Sequence, residues 1–212
     1  MNGKKMTTRF VSKLLQVGLT LCVAFGSAIA YAEKAPQELV VQTADKMMAK
    51  LKEEKDTIKK QPDKVYDLVN EIVLPHFDFE LMSKRVLGKY WRSATDKQRA
   101  EFTSAFRGVL VRTYANRLTE YTEYKINYLP MRPDADQDKA TVRSEIDQPG
   151  RTPVAVDYRL ILNNKDWKVF DVAIEGVSLV TNYRSSYASE IDRSGLDSLI
   201  EKINKHADVP PK

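Results

Sequence analysis

Residues 154–174, VAVDYRLILNNKDWKVFDVAI, decide what kind of fold this chain can make. Val154, Val156, Tyr158, Leu160 and Leu162 alternate with Ala155, Asp157, Arg159 and Ile161. That period of two sends successive side chains to opposite faces of a sheet. Asn163-Asn164-Lys165-Asp166 supplies hairpin-turn chemistry, because asparagine tolerates the left-handed backbone of a tight turn. Trp167 to Ile174 then reads as the returning strand. Val172 is one step out of phase with Val169, so on a regular strand the two would face opposite ways.

Upstream, Ile126-Asn127-Tyr128-Leu129 is strand-like, and Pro130 with the polar run PDADQDK makes a loop. Ala140 to Ile146 is a further short strand, closed by the turn Gln148-Pro149-Gly150. Downstream, Glu175-Gly176-Val177-Ser178-Leu179 leaves the sheet. Tyr183, Tyr187, Ile191, Leu196, Leu199, Ile200 and Ile203 suggest closing helices interrupted near Gly195. The reading is therefore four antiparallel strands.

Helices precede the strands. Pro36 opens one whose apolar positions are Leu39, Val40, Thr43, Met47 and Leu51. Gln61-Pro62-Asp63 marks a break. Val65, Leu68, Val69, Ile72 and Val73 form a second stripe, ended by Pro75. Asp78 can cap a third helix with Phe79, Met82, Val86, Leu87 and Tyr90 on one face and Lys84, Arg85, Lys89 and Arg92 elsewhere. Thr95 with Gln98 forms a capping box for a long helix running to about Tyr121, along which Phe102, Phe106, Leu110, Tyr114 and Leu118 recur every four residues. The fold class is α+β, a twisted antiparallel sheet with helices on one face.

Residues 1–32 read as a cleaved signal peptide. Lys4, Lys5, Arg9 and Lys13 form its basic start, Leu14 to Ile29 its apolar stretch, and Ala30-Tyr31-Ala32 its cleavage site. The only cysteine, Cys22, lies inside it, and Leu21 before it does not suit lipid attachment. The mature chain, 33–212, thus has no disulfide, thiolate metal site or cysteine nucleophile. It is one domain, with a disordered tail over 206–212. The leader takes four of the 34 lysines and arginines, leaving 30 against 29 acidic residues. A near-neutral exported chain is a poor nucleic-acid binder, although Arg107, Arg112, Tyr114 and Arg117 interleave bases with an aromatic ring.

Catalytic and metal motifs are missing from the sequence. His76 and His206 lack zinc-ligand spacing, and no nucleophile elbow or glycine-rich phosphate loop occurs. Asp157 and Asp171 interrupt apolar strands. Either could be a general base if buried, but the simpler reading is the solvent face or a cross-strand pair with Arg143 or Arg159. The wide apolar faces are the main clue. They suit either a filled core or a hollow one that takes an apolar ligand.

Three blocks, FDFELMSKRVLGKYWRSAT, QRAEFTSAFRGVLVRTYANRLTEY and WKVFDVAIEGVSLVTNYRSSYASEI, resemble the MlaC family of periplasmic phospholipid-binding, toluene-tolerance-type proteins, over roughly residues 35–205. The resemblance implies a strongly curved four-stranded sheet, a nuclear-transport-factor-like cone, packed with helices around a deep apolar lipid cavity. It implies a non-enzymatic carrier in the Gram-negative periplasm. Such a carrier shuttles phospholipid between an outer-membrane complex of the lipoprotein MlaA with a porin and an inner-membrane ABC transporter that presents the MCE-domain protein MlaD, maintaining outer-membrane asymmetry. Phospholipid would be cargo, with no cofactor, metal or nucleic acid. Together with the stripes, the resemblance puts Val69, Ile72, Val73, Phe79, Met82, Val86, Tyr90, Phe102, Phe106, Leu110, Tyr114, Val156, Tyr158, Leu160, Val169 and Val172 around the lipid. Lys84, Arg85, Lys89 and Arg92 would contact headgroups or partners. The alternatives are a carrier of lipoproteins or hydrophobic peptides, or a cone-fold isomerase using Asp157 or Asp171.

Overall fold

The computed structural model describes residues 35–120, 122–132 and 136–205. The signal peptide read over 1–32 and the tail over 206–212, His206 included, lie outside the described residues.

The hairpin forms as its alternation and turn require. β3 (Val154–Asn163) and β4 (Asp166–Ile174) pair antiparallel around Asn164 and Lys165, both at positive φ. β1 (Lys125–Tyr128) and β2 (Lys139–Asp147) extend the sheet on the β3 side. The sheet has five strands, not four, in the order β1-β2-β3-β4-β5. Glu175 and Gly176, with φ of 50° and 81°, make a second tight turn, so that Val177 and Ser178 fold back on Ile174 and Ala173 as β5. Two residues carry no alternation to read, which is why the sequence suggested an exit from the sheet.

The phase problem in β4 has a physical solution. Arg159 pairs with Asp171 and Leu160 with Val169, so Phe170 is an additional residue in a β-bulge. Val172 pairs with Tyr158. Val169 and Val172 therefore lie on the face of Leu160 and Tyr158 despite their odd spacing. Phe170 is buried, with the Arg85 guanidinium 4.4 Å from its ring centre.

On the helical side, α1 (Pro36–Glu53) buries Leu39, Val40, Met47 and Leu51. α2 (Lys55–Lys60) and α3 (Lys64–Leu68) flank the break at Pro62. The second stripe does not stay α-helical. Val69–Val73 widens into a π turn and Leu74–His76 tightens into a 3-10 turn. The chain then crosses to the sheet, where Phe77 bridges Val169 and the Asp78 N–H donates to the Val169 carbonyl at 2.9 Å. Asp78 caps α4 (Phe79–Leu87), its Oδ1 accepting from the Leu81 N–H at 2.9 Å.

α4 stops short of Tyr90. Gly88 adopts φ 55°, ψ −116°, and α5 (Lys89–Ser93) begins after it. The positive φ is what calls for glycine here; a Cβ at residue 88 would also come within 2.6 Å of the Arg184 guanidinium, which would have to swing aside. The expected capping box at Thr95 forms, with Gln98 N–H on Thr95 Oγ1 at 3.2 Å and Thr95 N–H on Gln98 Oε1 at 2.9 Å. It starts α6 (Asp96–Leu118). Ser178 caps α7 (Leu179–Ser194), and Gly195 separates it from α8 (Leu196–Lys205). Phe102 and Phe106 stack at 5.8 Å. The edge of Tyr183 meets Phe106 at 5.2 Å, and Tyr187 meets Phe102 at 6.0 Å. This aromatic block joins α6 to α7.

Candidate functional site

The face of the sheet that carries Val156, Tyr158, Val169 and Val172 meets α1, the π turn, α4 and the second half of α6 around an apolar pocket of about 290 Å³. The sheet adds Ile126, Ile146, Val154 and Ile174. α1 contributes Leu39, Val40, Thr43, Ala44, Met47 and Met48. The segment between α3 and α4 contributes Val69, Val73, Leu74, His76 and Phe77. α4 contributes Phe79 and Met82, α6 contributes Leu110, Val111, Tyr114, Ala115, Arg117 and Leu118, and Leu179 completes the wall.

Of the sixteen apolar residues expected around a ligand, ten line this pocket: Val69, Val73, Phe79, Met82, Leu110, Tyr114, Val156, Tyr158, Val169 and Val172. Ile72, Val86, Tyr90, Phe102, Phe106 and Leu160 do not, each for a local reason. The wider π turn rotates a residue three positions on further from the first, so Val69 and Val73 share the pocket while Ile72 joins the core around Val65 and Leu68. The Gly88 elbow turns Tyr90 away, and its hydroxyl donates to Asp192 Oδ1 at 2.6 Å. Phe102 and Phe106 face the α7 tyrosines. Val86 and Leu160 are packed solid in the main core. The α1 wall was visible in the sequence as an amphipathic stripe. Nothing in that stripe told a pocket from a core.

The four cations of the third helix also lie outside the lining. Arg85 covers Phe170. Lys89 sits 3.7 Å from Asp192, and a hydrogen bond to Tyr90, then the charge of Asp192, raise its pKa. Lys84 and Arg92 are exposed. The charged lining is instead Arg117, with His76 on the 3-10 turn.

No carboxylate lines the pocket among the described residues. Asp171 is buried at 3% exposure, but both of its oxygens are engaged. They accept from Arg159 Nη1 at 2.9 Å, Ser178 Oγ at 2.7 Å and the Val180 N–H at 3.1 Å. The cross-strand pairing with Arg159 is thus real, and Asp171 also anchors the start of α7. Asp157 lies opposite Arg143, whose guanidinium is directed to the Pro130 carbonyl at 2.9 Å. The phenols near the pocket are poor acids. Burial raises Tyr158, with a hydrogen bond to Ser144 acting the other way. Burial also raises Tyr114, opposed by Tyr183 and by the charge of Arg117. Among the described residues no cluster of three or more potential ligands could hold a metal, and no helix is long and apolar enough to cross a membrane. A second depression of about 410 Å³ lies between α6 and α8. Its three acids are already engaged, Asp197 by Gln98 at 2.7 Å, Glu101 by Lys97 at 3.8 Å and Glu201 by Lys205, so the apolar pocket is the candidate site.

Helices and an antiparallel sheet around an apolar pocket, with no acid in its lining among the described residues, define an α+β protein suited to an apolar ligand. The chain belongs to the MlaC protein family, whose model matches residues 41–205. It is 29% identical over 184 residues to the intermembrane phospholipid transport system binding protein MlaC of Haemophilus influenzae, covering 85% of this chain and 86% of that one. It is likewise 29% identical over 185 residues to a toluene tolerance protein of Pseudomonas putida, covering 87% and 86%. A solved phospholipid-binding protein from Ralstonia solanacearum, in complex with a phospholipid, matches with a TM-score of 0.76 and 30% identity. That match covers 82% of this chain and 97% of that one.

Proposed function

We propose that this chain is a periplasmic phospholipid carrier. The observation that carries the reading is the apolar pocket, with no carboxylate in its lining among the described residues, in a member of a family whose solved relative holds a phospholipid. Residues 1–32 serve as the cleaved export signal, and 33–212 as a single lipid-binding domain. The ten lining residues anticipated from the sequence take the acyl chains, on a sheet that curves into a cone. The membrane complexes presenting MlaD on one side and MlaA with its porin on the other are the partners this reading implies. An isomerase reading has little to support it, because neither Asp157 nor Asp171 opens on the pocket.

The energetics favour holding over free exchange. A buried methylene is worth about 0.8 kcal/mol, so a chain of ~15 carbons gains ~12 kcal/mol relative to water. Donor and acceptor membranes are equally dry, so transfer between them is nearly balanced while escape into water is slow. The pocket, at about 290 Å³, is at the low end of the ~300–1,000 Å³ typical for drug-sized ligands. A two-chain lipid is bulkier, so the walls move apart to admit it.

Purified protein from a Gram-negative host, extracted with organic solvent and analysed by mass spectrometry beside the native protein, tests this. Near-stoichiometric diacyl phospholipid is expected. Folded protein at the bare polypeptide mass would overturn the carrier reading. A lipopeptide or hydrophobic peptide in the extract would replace phospholipid as cargo.

A further inference from the structure

Among the described residues, the lining of the pocket contains two basic side chains, His76 and Arg117, and no acid. His76 is engaged by its neighbours. Arg117 differs. It lies in the last turn of α6, exposed to water yet part of the pocket wall. Leu110, Tyr114 and Arg117 follow at helical spacing, so one stripe of α6 grades from methyl groups through a phenol to a guanidinium. The charge of Arg117 reaches inward as far as the half-buried Tyr114 hydroxyl. Among the described residues no carboxylate lies within ion-pair distance of Arg117, and Glu123, which follows it in the sequence, is paired with Lys55 at 3.6 Å.

An apolar pocket whose rim carries a guanidinium without a carboxylate partner among the described residues suits an amphiphile whose first polar group beyond the hydrocarbon is an anion. The methylene stem of arginine can stay on the apolar wall while its planar fork meets two oxygens of a phosphate. The geometry points to Arg117 as the group that receives the phosphate diester of the cargo lipid, so that the protein favours phospholipids over neutral two-chain lipids. This deepens the carrier reading and rests on it. The cations of α4 and α5 cannot do the same work, because none of them borders the pocket. A cation in the last turn of a helix also offsets the negative helix end, a role lysine fills equally well. Phosphate recognition by a fork is one that lysine fills only in part.

The test uses delipidated full chain incubated with vesicles of phosphatidylglycerol and diacylglycerol bearing the same acyl chains, followed by extraction and quantitation of both lipids. The wild type is expected to enrich the phospholipid. Arg117→Gln loses about fivefold of that enrichment, and Arg117→Lys falls between. Lys60→Gln, on exposed α2, leaves the ratio unchanged. High salt brings the wild type toward Arg117→Gln. Excess inorganic phosphate at matched ionic strength leaves the wild-type ratio alone. Loss of enrichment to inorganic phosphate would mean a free-anion site and overturn the lipid assignment. An unchanged ratio in a lipid-loaded Arg117→Gln overturns the role of Arg117 and leaves the carrier standing. Failure of the wild type to take up either lipid overturns both.

Discussion

The two halves of α6 carry the same four-residue spacing and do different work. Phe102 and Phe106, fully buried, lock into the aromatic block with Tyr183 and Tyr187. Leu110, Tyr114 and Leu118, further along the same helix, border a pocket. Period alone says that a face is covered. What covers it comes from elsewhere in the chain. Over the first half lies α7 with two tyrosines. Over the second stand α1 and the π turn, which do not close the space.

Truncation separates the halves most strongly. Phe106→Ala is expected to cost ~3–5 kcal/mol of stability, because it leaves a void in solid packing. Leu110→Ala is expected to cost about 2 kcal/mol, since part of its surroundings is already pocket, and to change lipid retention. Denaturant unfolding at constant m measures both. Equal losses would mean that the halves are packed alike.

Enlargement sharpens the contrast from the other side. Val109→Phe, at a position 2% exposed, is expected to lose ~1–3 kcal/mol through overpacking. Val172→Phe, which grows into the pocket, is expected to lose less than ~1 kcal/mol while reducing the extracted lipid. An undiminished lipid load in Val172→Phe would remove that residue from the wall.

The smallest effect is alkaline. Burial pushes the Tyr183 and Tyr187 phenols of the packed half well above the ordinary tyrosine value. The unfolded chain then sheds their protons first, near pH 10, so stability is full below that pH and falls as pH rises above it. At pH 10 the loss is a few tenths of a kcal/mol for each phenol. Absorbance titration is expected to show these phenolates only as the chain unfolds. A full tyrosine titration in folded protein near pH 10 would contradict the packing.

Much of the fold was legible, because caps and turns are local chemistry. Asp78, Thr95, Pro36 and the Asn164-Lys165 turn each act within a few residues, and each behaves as expected. Three features that set the site were not legible. The bulge at Phe170, the π turn at Val69–Val73 and the break at Gly88 each shift the phase of a regular element, and so decide which side a residue takes. That is why the sequence could hold Val169 and Val172 in doubt, and why Ile72 and Tyr90 belonged on paper with neighbours they leave in space. The role of Arg117 was hidden differently. In sequence it is one surface base among several, and only the position of the pocket sets it apart.

The Gly88 elbow bears on how such a sequence can drift. A wall that contacts fluid hydrocarbon accepts exchanges among leucine, methionine and valine at modest cost, because the cargo adapts its own shape. The elbow has no such freedom. Its φ of 55° is one that side-chain-bearing residues rarely adopt, so a change there strains the bend that sets α5 off from α4 and also pushes the Arg184 guanidinium aside. In a lineage of these proteins, variation should gather in the pocket, and constancy at a bend that touches no ligand.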